Sequence, residues 1–239
     1  MITGFSTGTF HKNPNVKNKN SNEILNLFLK HSFQAVEICC LDCKELFEIN
    51  TLNNSLLKRF SYKSLHAPAL DFVYEDNKTT LSILNKVRDL HCKYDFNLIV
   101  FHPDRIKNIS ILNSYNDLPI AFENMNSRKK TGKTFSQLQK TFSNNNYRMV
   151  LDLQHAYSND TSMKLASDLY KQFKPRIAEI HISGQTHIPG QHTPLFKSKQ
   201  VKIIKSIPNL KIPIIIESPV NNRIQIQKEY NYITENIVK

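Results

Sequence analysis

Seven imidazoles and carboxylates fall at the ends of apolar runs along this chain. They are His66 after SYKSL, His102 after LIVF, Glu123 in PIAFENM, Asp152 and His155 in RMVLDLQH, His181 in IAEIHIS and Glu217 in IPIIIES. Imidazole nitrogens and carboxylate oxygens together are the ligands that zinc, manganese and iron take. One such residue alone is as easily a structural histidine or a helix cap. Six successive runs that each end this way are harder to explain, because grouped buried acids repel and are costly to desolvate unless a cation neutralises them. The pattern therefore points to a divalent-metal site. Glu123, Glu217 and His155 are its candidates for moving a proton.

Such residues can meet only if the runs lie side by side and point the same way. Strand-like segments are read at 2–8, 35–40, 61–67, 98–102, 119–125, 148–155, 177–183 and 212–218. Helical periodicity fills the gaps, as in SNEILNLFLKHS and NKTTLSILNKVRDLHCKYD, and a short helix is read in RIKNISILNSYND. Eight strands alternating with helices predict a single (β/α)8 TIM barrel, with residues 1–239 forming one domain. The runs are continuously apolar, as expected of strands covered on both faces. In a parallel barrel their C-terminal ends converge on one face, where such folds keep their chemistry. A doubly wound sheet would favour a glycine-rich phosphate loop after the first strand, but GFSTG does not match one and the chain has only five glycines.

Composition sets further bounds. The 239 residues carry 32 Lys+Arg against 20 Asp+Glu, a net charge of +12 that can attract phosphorylated partners, DNA included. The bland reading is compositional drift, since only seven of those bases are Arg and the chain is crowded with Asn, Ile and Lys. Arg128, Lys129 and Lys130, with Lys133, form a basic loop after the fifth strand, either a solvated loop of a basic protein or a grip on a phosphate or carboxylate of a substrate. Gly132-Lys133-Thr134 imitates the end of a P-loop, but Ser127 stands where the first glycine is needed. Glu37, near the end of the second strand, reads equally as an acid/base group facing the pocket or as a structural residue. Cys39, Cys40, Cys43 and Cys92 read as buried thiols in a reducing compartment, since the lone C-x-x-C has no second pair. No apolar run approaches the ~18 residues of a membrane span and no signal-peptide pattern opens the chain, so the expectation is a cytoplasmic protein without membrane contact.

The set SLHAP, VFHPD, AFENM, LDLQHA, EIHIS and IIIESP resembles the xylose isomerase-like TIM-barrel superfamily, which includes endonuclease IV, sugar isomerases and epimerases, and multinuclear iron-dependent oxidative enzymes. The resemblance runs from the first strand to the last. It implies one ion held by Glu123, Asp152, His181 and Glu217, and a second held by His66 and His102, with Glu123 as the bridge. A third position in such proteins uses the match of His155 with an Asp-x-His in the loop after the seventh strand. Here that loop reads GQTHIPGQHTPLF, with His192 preferred over His187 as its histidine and Gly190 or Gln185 where the Asp is missing. The expectation is two divalent ions (zinc, manganese or iron), with the third position incomplete. The leading reading is an endonuclease IV-like phosphoester hydrolase, acting on a phosphorylated small substrate or an abasic site in DNA. The alternatives are a sugar or sugar-phosphate isomerase or epimerase, and an iron-dependent oxidative enzyme. Short loops and the acidic segment APALDFVYEDN after His66 count against DNA. Nothing in the sequence fixes the oligomeric state.

Overall fold

Eight parallel strands close into a barrel. In a computed structural model, which describes residues 1–10, 21–70, 72–143 and 146–237, these are β1 (Thr3–Ser6), β2 (Ala35–Cys39), β3 (Tyr62–His66), β4 (Leu98–Phe101), β5 (Ile120–Glu123), β6 (Arg148–Asp152), β7 (Ile177–Ile182) and, after a two-stranded hairpin of β8 (Gly184–Gln185) and β9 (His192–Thr193), β10 (Ile214–Ile216). The order around the barrel is β1-β10-β7-β6-β5-β4-β3-β2, which is the predicted (β/α)8 TIM barrel. Asp71, part of the acidic segment after His66, lies outside the described residues.

The helices form the outer layer: α1 (Ser21–Lys30), α2 (Cys43–Glu48), α3 (Asn54–Leu57), α4 (Lys78–Tyr94), α5 (Phe135–Phe142), α6 (Leu153–Asn159), α7 (Lys164–Phe173), α8 (Leu195–Ser198), α9 (Val201–Lys205) and α10 (Arg223–Ile237). In α4, Asn77 caps the first turn by accepting from Thr80 N, and Ile83, Leu84, Val87, Leu90 and Tyr94 make the buried stripe. Such stripes cover the outward side chains of the strands, Phe5, Phe101 and Phe122 among them. Each buried aliphatic or aromatic side chain there contributes about 1.5–3 kcal/mol of transfer free energy. Inside the barrel, Leu98, Val100, Ala121 and Val150 form a small separate apolar cluster. Between β6 and β7 the register slips at Met149/Val150, a bulge beside Ala178 that sets Glu179 opposite Val150 and His181 opposite Asp152.

Three expectations are corrected. The sixth strand, read as 148–155, ends at Asp152, whose carboxylate accepts from His155 N at 2.6 Å and caps α6, so His155 rides on a first helical turn and not on a strand end. The helix read in RIKNISILNSYND is 3₁₀ structure at Ile109–Tyr115, preceded by a separate turn at Pro103–Arg105. The eighth barrel strand is shorter than read, and Glu217 follows it.

Glu229 of α10 ties the end of the chain to the open end of the barrel. Fully buried, it accepts from Leu195 N at 2.8 Å, from Phe196 N at 3.0 Å and from the Ser218 hydroxyl. It therefore clamps the segment just after His192 to the segment just after Glu217. Burial raises its carboxyl pKa, opposed by those same hydrogen bonds. Glu229→Gln replaces one acceptor oxygen with a donor facing another donor. The expected result is a loss of about 2–3 kcal/mol and a fall in Tm on the order of 5–10 °C, read by calorimetry. An unchanged Tm would remove the clamp from the account of the fold.

Candidate metal centre

Glu123 ends β5 with 1% exposure and turns its two carboxylate oxygens in different directions. Oε2 lies 3.1 Å from His102 Nε2 and 3.6 Å from His66 Nε2. Oε1 lies 3.0 Å from His155 Nδ1 and 3.7 Å from His181 Nδ1. Two ligand sets share it: His66, His102 and Glu123, and Glu123, Asp152, His181 and Glu217, each with ligand atoms within 4.8 Å of one another.

The rings around Glu123 are oriented by their neighbours. The Ala67 carbonyl accepts from His66 Nδ1 at 3.0 Å, leaving Nε2 toward His102 Nε2, also at 3.0 Å. Two imidazole nitrogens that close must share a proton or a cation. His102 Nδ1 lies 3.9 Å from Asp104. The Asn124 carbonyl accepts from His155 Nδ1 at 2.9 Å. The Asn124 side chain donates to Asp152 O at 2.9 Å and accepts from Asp152 N at 2.8 Å, pinning the end of β6 beside β5. His181 gives Nε2 to Glu179 at 2.7 Å, while Nδ1 lies 3.5 Å from Glu217 Oε1.

The donor set fits divalent cations. Asp152 Oδ2 and His181 Nδ1 are buried without a hydrogen-bond partner, which is costly unless another group engages them. The titration of the cluster expresses the same tension. Burial pushes Asp152 up to about 7 and Glu217 well above the usual carboxylate range. Burial also works to raise Glu123, but the His155 charge and the hydrogen bonds from His102 and His155 hold it well below that range. His102 falls to about 4 through burial. Burial opposes charge on His66 and His155 too, yet Glu123 with Glu37 carries His66 to about 9, and Asp152 with Glu123 carries His155 to about 10. The extra proton on His66, which belongs to a ligand set, would have to leave as a cation binds, so affinity there rises with pH.

The position suggested for a third ion is different. His192 is brought to the site by the β8–β9 hairpin, where it pairs with Gln185. Its ring lies 5.9 Å from that of His155, and Ser183 Oγ is 2.7 Å from its Nδ1. Among the described residues, His155 and His192 belong to neither ligand set. Gly190 has a φ of +73° and a Cβ there would meet the Asn126 side chain at 2.7 Å, so neither it nor an aspartate in its place can supply a ligand without strain. His187 is exposed.

The cavity over these residues measures about 230 Å³, and Lys129, Arg105, Asn126, Leu70 and Gly190 are among the residues at its wall. Arg128 and Lys130 are exposed and do not line it. Lys129 Nζ is 2.9 Å from Asp104 Oδ2, and Arg105 Nε lies 3.7 Å from the same oxygen. Sequence reasoning misses Asp104 and Arg105, although VFHPD places them directly after His102. Glu37 does not face the pocket: it is fully buried behind His181, with Oε2 3.3 Å from Nε2. A larger cleft of about 1080 Å³ at the opposite end of the barrel is lined by Asn97, Tyr147, Arg148 and Arg176 among others, and among the described residues holds no imidazole or carboxylate.

No family model and no curated protein sequence matches the chain. Solved structures do. Endonuclease IV from Thermus thermophilus aligns with a TM-score of 0.72 at 15% identity, covering 100% of this chain and 99% of that one. D-Psicose 3-epimerase from Clostridium cellulolyticum aligns at 0.66 and 10% identity, covering 99% of each chain. The 3-keto-D-glucoside 4-epimerase of E. coli aligns at 0.63 and 12%, covering 98% and 99%. The likeness shows the fold these proteins share, a closed (β/α)8 barrel. Among the described residues, no helix is long and apolar enough to cross a membrane.

Proposed function

We propose that this barrel is a metal-dependent enzyme that hydrolyses a phosphoester at a centre of two divalent ions bridged by Glu123. The observation that carries the reading is the division of the Glu123 carboxylate, Oε2 toward His66 and His102 and Oε1 toward His155 and His181. His66 and His102 would hold one ion, and Asp152, His181 and Glu217 the other. Two such ions supply Lewis acidity to a phosphoryl oxygen and bring the pKa of a bound water toward ~7.

The chain's own residues supply the rest. Lys129 and Arg105 flank one carboxylate, Asp104, so the mouth keeps a net positive charge beside His102. That charge suits an anionic group entering over the ions. Asn124 fixes Asp152, and Gly190 brings backbone over the cavity against Asn126. A cavity of about 230 Å³ suits a small phosphoester or one extruded phosphodiester unit more than an intact duplex. The likeness to endonuclease IV supports the hydrolytic class.

A second reading, a sugar isomerase or epimerase, is favoured by one observation: burial pushes Asp152 to about 7 and Glu217 upward, and ligand atoms of the two lie within 4.8 Å of each other, so neighbouring acids could pass a proton. The test is a comparison on one preparation. After chelation and reloading with zinc or manganese under anaerobic conditions, the enzyme is offered p-nitrophenyl phosphate, bis-p-nitrophenyl phosphate and an abasic duplex at low salt. Hydrolysis of at least one is expected, with none in the chelated protein. If all three stay intact while solvent deuterium enters a ketose next to its carbonyl, the isomerase reading replaces the hydrolase. Turnover that needs both iron and oxygen would replace both.

A further inference from the structure

Every histidine that meets an ion must present one particular nitrogen, and His181 is held differently from its neighbours. His66 and His155 donate to backbone carbonyls, which are neutral acceptors. His181 Nε2 instead lies between two fully buried carboxylates, Glu179 Oε1 at 2.7 Å and Glu37 Oε2 at 3.3 Å. Glu179 and His181 are two apart in β7, so both point into the barrel, and the bulge between β6 and β7 precedes them. The opposite nitrogen, Nδ1, is buried without a hydrogen-bond partner, 3.7 Å from Glu123 Oε1 and 3.5 Å from Glu217 Oε1.

A buried carboxylate is an expensive way to fill a barrel interior, where aliphatic layers are the rule. Packing alone does not explain Glu179. Its acceptor oxygen faces the one nitrogen that must carry a proton if the other is to bind an ion, and a carboxylate acceptor also makes the ring a stronger donor to that ion. Glu37, on the far side of the barrel and at the longer distance, reinforces the field at the same N–H.

We infer that Glu179 is a positioning residue that fixes His181 as the Nε2-protonated tautomer, with Nδ1 presented to the ion shared by Glu123, Asp152 and Glu217. The role rests on the metal-centre reading above. It assigns no contact between Glu179 and ion or substrate.

The test uses the full chain labelled with ¹⁵N-histidine and loaded with zinc, an ion without unpaired electrons. Long-range ¹H–¹⁵N correlation should show His181 protonated at Nε2 with a zinc-shifted Nδ1. Glu179→Leu keeps comparable bulk and removes the acceptor. It should weaken one of two zinc ions by about 10–100-fold and leave the other, held by His66 and His102, unchanged. Glu179→Gln keeps an acceptor oxygen without the charge, so it should preserve the tautomer and lose less affinity, a graded rescue that a packing role would not give. If Glu179→Leu fails to fold, the wild-type spectrum and the Gln variant still decide. An Nδ1-protonated His181 in the loaded wild type overturns the inference, as does Glu179→Leu binding both ions with wild-type affinity. A wild type that takes up no zinc at all overturns the metal centre itself, and this role with it.

Discussion

Glu123→Gln should strip the centre of both ions and lower phosphoester hydrolysis by ~10³-fold or more, the order of effect seen when a directly acting group is removed. The reason is the split carboxylate. A glutamine has one acceptor oxygen, and its amide nitrogen must face either His66 and His102 or His155 and His181. Whichever set meets the NH₂ group loses its anionic ligand, and the other keeps only a neutral one. Elemental analysis of variant and parent purified alike reads the loss directly, with far-UV circular dichroism as the control for folding. Replacing His155 or His192 by Ala should cost less metal, since neither belongs to the two shared sets. A His192→Ala variant that loses more metal than Glu123→Gln would show the two positions to be wrongly assigned.

The clustering of imidazoles and carboxylates at the strand ends was readable because the residue types betray it. A histidine or acid directly after LIVF or IPIII has no reason to follow a buried run unless something meets it there. Alternation of such runs with helical stretches made the barrel readable too. What escaped the sequence was decided by local contacts. The D-x-x-H of β6 reads equally as strand continuation or as a cap and first turn, and only the bond from His155 N to Asp152 settles it. His192 reaches the site through a hairpin of two residues a side, too short for any periodicity to reveal. Glu179 passed as one more polar residue in an apolar strand, although its spacing to His181 put both on one face. The basic loop was expected to act as a patch. The turn at Asn126–Lys129 sends Lys129 inward to Asp104 and leaves Arg128 and Lys130 in solvent.

The paired substitution of His66 and His102 by Ala should reduce two ions per chain to one and leave the Asp152, His181 and Glu217 position filled. The two rings face each other at 3.0 Å through Nε2 and share no partner with the second set except Glu123, so the loss should stay local. Protons give the same site a pH signature. His66 holds its proton up to about 9, because Glu123 and Glu37 outweigh the effect of burial, while His102 is already neutral above about 4. At pH 7 an ion entering between them must therefore expel the His66 proton, and above about 9 there is none to expel. Apparent affinity for this ion should climb with pH up to that point and then level off. Calorimetric titration in buffers of different ionisation enthalpy would show proton release at pH 7 that fades toward pH 10, and a smaller release at pH 7 in the paired variant. A parent protein holding a single ion that survives the paired substitution would leave the one-ion site of the epimerase-type reading and remove the two-ion hydrolase. Two ions retained by the paired variant would move the first site elsewhere on the barrel face.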